Sequence, residues 1–438
     1  MVGRDSHVMV GVFLLRLAGR MRGRACAASW TQPPVTSRFP KGLALPRARL
    51  WLLLCWAFAY GLIAVQLART MLENQPAGID LLPLWTAARL ASEHPAAVYD
   101  FSVVTDLQRW LIGETQSSRP FIYPPTFLLL LLPLAALGFW TSYGLWLAGT
   151  AGIYLWSAAR GFATLRSLSL VFLVTAPPFV FAAVTGQPTL LIAALVFLGL
   201  AMLQTRPVAA GFLIGLAICA KPSLMALAPL CLLAGTHYRA LVVVVIVSGM
   251  IGLVSMATFG MDTWRAWIAA LGEFQTLVNG NPGLVRNMIT PTGAAIQLGM
   301  EGTALAVVRA GFAVAGALIA WIGFRKPRPF EQRVTALVAS GLFVSPYAMQ
   351  YDAVLLLPAA IMVVVRTVSG SRWQLGRMSL LLMIFAGTAY TAPYATFALI
   401  ALLMWFDFSV EPDSTSQERF ASASKLPASG QYTPDGSS

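Results

Sequence analysis

The chain has 438 residues, of which 58% are hydrophobic and only 11% charged, and its mean hydropathy is +0.72. That balance excludes a water-soluble globular enzyme and predicts an all-α polytopic membrane protein. The formal net charge of +13 lies in short basic segments between apolar runs, so it reads as a signal for the cytoplasmic face rather than as a nucleic-acid footprint.

Met1 to Arg49 carries Arg16, Arg20, Arg22, Arg24, Arg38, Lys41, Arg47 and Arg49. Its apolar piece Val8 to Leu17 is too short to span. Residues 1–49 are therefore expected to be a disordered cytoplasmic arm or an over-extended start, rather than a signal peptide. Apolar runs follow at Trp51 to Leu67, Thr126 to Leu137, Ser142 to Ala158, Ser167 to Val184, Thr189 to Leu203, Val208 to Ala234, Ala240 to Thr258, Ala304 to Phe324, Val334 to Val344, Ala353 to Val365, Ser379 to Tyr390 and Ala395 to Trp405. They predict a transmembrane domain over residues 50–407 with roughly twelve helices, several near or below the length a perpendicular span needs. Residues 408–438 are rich in Ser, Pro, Asp and Gly and read as a disordered tail.

With the basic start inside, the segments Ala68 to Pro125 and Gly260 to Gly302 and the turn Ser345 to Asp352 fall outside. The clusters around Arg239, Arg325 to Arg333 and Arg366 to Arg377 then lie inside, as positive residues should. The same threading puts Arg160, Arg166 and Arg206 outside, against the rule. Trp85, Tyr99, Phe101, Trp110, Phe121 and Tyr123 in the first external segment, and Trp264, Trp267 and Phe274 in the second, predict folded loops on the membrane surface. Cys55, Cys219 and Cys231 sit in apolar runs and Cys26 in the basic arm, with no paired spacing, so no disulfide framework and no zinc site is expected.

Asp80 is a lone carboxylate just beyond the first long apolar run. An ionisable group at the rim of a bilayer must be solvated or paired, which makes it a functional candidate. After it, Leu81, Leu84, Trp85 and Ala88 share a helical face, predicting an amphipathic helix in the interface plane, with Asp80 either its N-cap or a working acid. Asp100 and Asp106 read as solvated or helix-starting acids. Tyr123 belongs to Phe121-Ile122-Tyr123-Pro124-Pro125, an aromatic helix entry. Gln187, in Gly186-Gln187-Pro188-Thr189, either caps a turn or bonds a ligand. Lys221, followed by Pro222 near the middle of an apolar run, needs an anion or a cavity unless the run is two helices joined by a cytoplasmic turn. Tyr347, Tyr351 and Asp352 form an aromatic, polar turn that could line a sugar pocket, or else an interface belt with a helix-starting aspartate. Asn281, Arg286 and Asn287 are polar groups able to reach a carbohydrate. The usual soluble nucleotide and zinc signatures are absent, which points to a substrate delivered through the lipid.

Taken in order, these pieces resemble the DUF2029 family, glycosyltransferase family 87. The matching text runs from Asp80 to Leu90 and Pro95 to Asp100, through Phe121 to Pro125, Thr185 to Leu191, Arg206 to Gly211 and Ala220 to Pro222, to Ser345 to Tyr347 and Tyr351-Asp352. It covers about residues 50 to 405. Leu84-Trp85, where such sequences often carry an aromatic pair, and Pro188, where a polar residue often follows Gly-Gln, depart from the pattern. The resemblance implies a GT-C-like fold. It also implies an inverting glycosyltransferase that moves a sugar, mannose in known members, from a polyprenyl-phosphate donor to an acceptor hydroxyl at the outer face of the cell (inner) membrane. Asp80 would be the general base. A cation close to the leaving phosphate would stabilise its departure, and Lys221 is the candidate; Gln187, Tyr123, Tyr347, Tyr351, Asp352 and Asn287 are the candidates for holding donor or acceptor, and no cofactor or metal is assigned. The rival readings are a transporter or flippase of a lipid-linked solute and a membrane scaffold. Two large structured loops and the lack of an internal repeat favour the enzyme over the transporter, and a scaffold leaves Asp80 and Lys221 without a purpose.

Overall fold

The computed structural model describes residues 58, 61–69, 77–112, 119–162, 167–368, 383–384, 387 and 392–409. The basic arm, the tail beyond residue 409 and most of the runs Trp51 to Leu67 and Ser379 to Tyr390 lie outside these residues. Among the described residues every regular element is helical, apart from one β-bridge between Met288 and Met349.

The first connecting segment folds as α1 (Leu82–Glu93), a 3-10 turn (Pro95–Tyr99) and α2 (Phe101–Ile112). After an extended stretch come α3 (Pro125–Leu131), a 3-10 turn (Leu132–Ala136) and the long α4 (Phe139–Gly161). Next are α5 (Ser167–Thr175), α6 (Pro177–Thr185), α7 (Thr189–Met202), α8 (Pro207–Ala220), α9 (Pro222–Met225), α10 (Ala228–Ala234) and α11 (Tyr238–Phe259). The second connecting segment holds α12 (Met261–Asn279), α13 (Pro282–Arg286) and α14 (Pro291–Gln297). It leads into α15 (Gly302–Phe324) and α16 (Phe330–Val344), a 3-10 turn (Gln350–Leu355), α17 (Leu357–Val368) and α18 (Ala392–Ser409). The described residues of both connecting segments are largely helical, as folded loops require.

Two helices, α11 and α15, are long and apolar enough to cross a bilayer. Their side chains face outward: Val245 is 63% and Leu253 68% exposed on α11, and Val307 is 65% and Val314 61% exposed on α15. So broad an apolar exterior is unfavourable in water and suits a lipid surround. By contrast α7 is hydrophobic on every side and buried on nearly every side, as a central helix must be. It packs on α4 and α8, and α8 in turn packs on α11. Gly211 permits that last contact, since a Cβ there would lie 2.4 Å from the Ala240 carbonyl oxygen.

Several expectations are corrected. The run Ser167 to Val184 breaks at Ala176, where Pro177 starts α6, and Val208 to Ala234 breaks into α8, α9 and α10. Proline cannot donate to the turn before it, so each break falls where the helical ladder would lose a bond. Helix α1 does not lie with one face in the interface plane. Leu82, Pro83, Leu84, Trp85, Thr86, Ala87, Ala88 and Ala91 are all buried, so its first turns are enclosed by protein. Thr86 tolerates this because its hydroxyl bonds back to the Leu82 carbonyl at 2.9 Å. Asp80 does not cap α1 either. Leu81 is the N-cap residue and no side chain caps the helix.

Candidate active site

The turn that carries Asp80 is fixed by backbone bonds to the end of α6. Gly78 N donates to the Val184 carbonyl at 2.9 Å, and Asp80 N and Leu81 N both donate to the Thr185 carbonyl, at 2.8 and 3.1 Å. Gly186 makes this approach feasible. It ends α6 at φ +78°, with Gln187 N bonded back to the Ala182 carbonyl at 2.9 Å and Gly186 N to that of Ala183 at 3.3 Å, the Schellman pattern. A Cβ at Gly186 would sit 2.8 Å from the Leu81 Cβ. Gly186→Ala is therefore expected to destabilise the fold by at least about 1–2 kcal/mol from backbone strain alone. It should also push the Asp80 turn away, seen as a lower unfolding midpoint together with reduced turnover.

Asp80 is 6% exposed and its Oδ1 accepts from the Arg119 guanidinium, whose side chain is 31% exposed. Arg119 is held through its backbone: its N–H donates to Gln108 Oε1 and its carbonyl accepts from Gln108 Nε2, each at 2.8 Å, with Gln108 1% exposed on α2. Downstream the strand-like stretch is tied at two further carbonyls, Ile122 by Trp267 Nε1 at 3.2 Å and Tyr123 by the Tyr99 hydroxyl at 2.8 Å. Burial pushes the Tyr99 phenol well above its ordinary range, which keeps it a neutral donor. Tyr123 then donates its hydroxyl to Gln187 Oε1 at 3.2 Å, and Gln187 is itself buried.

A second ion pair lies beyond. Lys221 occupies the break between α8 and α9, and its Nζ donates to Asp352 Oδ1 at 2.5 Å. Thr189, at the start of α7, donates to the same oxygen at 2.7 Å, while Met349 N donates to Asp352 Oδ2 at 3.1 Å. Asp352 thus starts the 3-10 turn as a helix-start acid should. It is also the anion that buried Lys221 requires, so Lys221 occupies neither mid-helix nor an exposed loop. The ammonium lies 5.4 Å from the centre of the Tyr351 ring, and the Tyr351 hydroxyl is 3.5 Å from that of Tyr347.

The segment Thr185 to Thr189 joins the two ion pairs into one cluster: the Thr185 carbonyl holds the Asp80 turn, Gln187 accepts from the Tyr123 hydroxyl, and Thr189 donates to Asp352. Asp80, Tyr123, Gln187, Lys221, Tyr347, Tyr351 and Asp352 come together from segments far apart in the chain. Asn287 joins only through its backbone: its carbonyl accepts from Gln350 N at 3.0 Å while the side chain is exposed. Asp100 and Asp106 lie apart. Asp100 caps α2, and bonds from the Ser102 hydroxyl and the Val103 amide hold its carboxyl below the usual carboxylate range. Asp106 pairs with Arg109 on the surface at 3.7 Å. Among the described residues no group of three or more His, Cys, Asp or Glu side chains could hold a metal ion.

Arg119 is the member that sequence reasoning missed. Its signal was the one basic residue directly before the Phe121 to Pro125 aromatic entry, beside a Pro that fixes the chain.

Residues 121–346 match the sequence profile of glycosyltransferase family 87. The chain belongs to this family. It is a membrane glycosyltransferase, which sets aside the transporter and scaffold readings. No curated protein and no solved structure matches the chain. The family match contains Tyr123, Gln187 and Lys221, whereas Asp80 and Arg119 precede it and Tyr347, Tyr351 and Asp352 follow it.

Proposed function

We propose that this family 87 enzyme is a GT-C-like transferase of the cell (inner) membrane, with its active site on the external side. It takes a sugar, mannose in our reading, from a polyprenyl-phosphate donor and passes it to an acceptor hydroxyl with inversion. Asp80 is the general base. It accepts the acceptor's proton as that oxygen bonds to the anomeric carbon, the bond from that carbon to the phosphate oxygen breaks, and its electron pair leaves with polyprenyl phosphate. Tyr123, Gln187, Tyr347 and Tyr351 offer the hydroxyl and amide groups that orient a sugar, and Asn287 supports the tyrosine turn through its carbonyl, leaving its exposed side chain for an acceptor. Lys221 and Asp352 form the buried ion pair of the cluster, beside Tyr351. No cofactor or metal enters the scheme. The observation that carries this reading is a nearly buried carboxylate gathered with three tyrosines, a glutamine and two cations in a chain of this family.

The test supplies membranes containing the enzyme with labelled polyprenyl-phosphate mannose, the glucose analogue and the corresponding nucleotide sugars, and identifies the anomeric configuration of the product by NMR. Transfer from the lipid-linked mannose with inversion is expected. Transfer from a nucleotide sugar alone would overturn the donor class, and a retained configuration would overturn the role of Asp80.

A further inference from the structure

We propose that Arg119 is the phosphate-binding residue and that it exchanges partners: without donor it holds Asp80, and the donor's phosphate draws it off and so releases the base. The inference rests on the lipid-phosphate donor reading above and adds an order of events to it.

The two cations of the cluster differ in what an incoming anion would do to them. Lys221 is 7% exposed, and its partner Asp352 is fully buried and collects donors from Lys221, Thr189 and the Met349 amide. Turning Lys221 toward a phosphate would leave a carboxylate with no counter-charge in the protein interior, which is strongly unfavourable. Arg119 is 31% exposed, and Asp80 accepts from it through one oxygen. The two bonds between Gln108 and the Arg119 backbone fix where the side chain begins while leaving it long enough to swing. A guanidinium presents its N–H groups as a planar fork that fits two phosphate oxygens, which an ammonium cannot do.

Charge balance gives the exchange its direction. Each ion pair is neutral within itself, so the cluster offers an anion no net attraction until one pair opens. The pair that opens at least cost is the more exposed one. Once Arg119 bonds the phosphate, the Asp80 carboxylate faces the acceptor hydroxyl without its cation. The same guanidinium then meets the charge that develops on the departing phosphate. Acceptor activation thereby waits for the donor.

The experiment uses the full chain in detergent and measures binding of a fluorescent polyprenyl monophosphate, with the matching polyprenol as the uncharged control. Wild type should bind the phosphate more tightly than the alcohol. Asp80→Asn, which removes the competing carboxylate, should bind it about tenfold more tightly than wild type. Arg119→Gln should lose about tenfold or more. The double variant Asp80→Asn/Arg119→Gln strands no charge and should therefore fold, and it should bind as weakly as the single Arg119 variant. Asp80→Asn binding no tighter than wild type, or the double variant matching wild type, would refute the exchange while leaving the donor class intact. Equal binding of phosphate and alcohol by wild type would remove the donor reading and this inference with it.

Discussion

Asp80→Asn is expected to lower kcat about a hundred- to ten-thousand-fold, the range that loss of a positioned general base produces. Asparagine has the same shape and keeps an oxygen that can accept from Arg119, so the turn bonded to Thr185 should persist and the purified protein should unfold at close to the wild-type temperature. What it cannot do is take up a proton. Asp352 is the other carboxylate of the cluster and would be the natural competitor for the base. However, it is fully buried and both of its oxygens already accept hydrogen bonds. Protonating it would cost bonds to three donors, whereas Asp80 needs only to part from one. Single-turnover transfer from labelled donor, measured beside thermal unfolding, separates chemistry from folding. An Asp80→Asn enzyme that turns over at near the wild-type rate would remove the base assignment.

Much of this cluster was legible because polar groups in an apolar sequence are conspicuous. Asp80, Lys221 and Gln187 each interrupt or border a hydrophobic run, and the demand of Lys221 for an anion followed from burial alone. The turn at Gly186-Gln187 was legible because two apolar runs meet there. The breaks in those runs coincide with Pro177 and Pro222, so they were written in the sequence although run length argued for continuous spans. What could not be read was pairing across distance. Arg119 stands 39 residues from Asp80, in a polar stretch where a cation ordinarily faces water. Local rules likewise left Asp80 open between the α1 cap and a working acid. The tertiary bonds to Thr185 instead place it one residue before the N-cap, where Arg119 captures its side chain. Helix α1 looked amphipathic because sequence shows which residues are apolar, not how many neighbours will cover the rest. Here the turns at Pro95–Tyr99 and Leu132–Ala136 and the helices α2 and α3 all pack on it.

The second large effect concerns stability. Lys221→Met alone leaves Asp352 fully buried with its charge uncompensated, and Asp352→Asn alone does the same to an ammonium whose side chain is 7% exposed. Each single change is expected to cost about 3–5 kcal/mol, the usual penalty for halving a buried ion pair. In the double variant Lys221→Met/Asp352→Asn no charge is stranded, and the asparagine oxygen still accepts from Thr189 or the Met349 amide. It should return to within about 2 kcal/mol of wild type, because a buried pair contributes little net stability over neutral groups of similar volume. Unfolding in mixed micelles titrated with SDS would measure all four proteins as a double-mutant cycle, with a coupling energy of several kcal/mol expected. Because an asparagine at 352 still accepts from the Met349 amide that closes the 3-10 turn carrying Tyr351, the double variant should keep its tyrosines in place and bind donor at near wild-type affinity. Were Lys221→Met as stable as wild type yet unable to bind polyprenyl monophosphate, Lys221 rather than Arg119 would be the cation that meets the leaving group, and the pairing with Asp352 would be the one that opens.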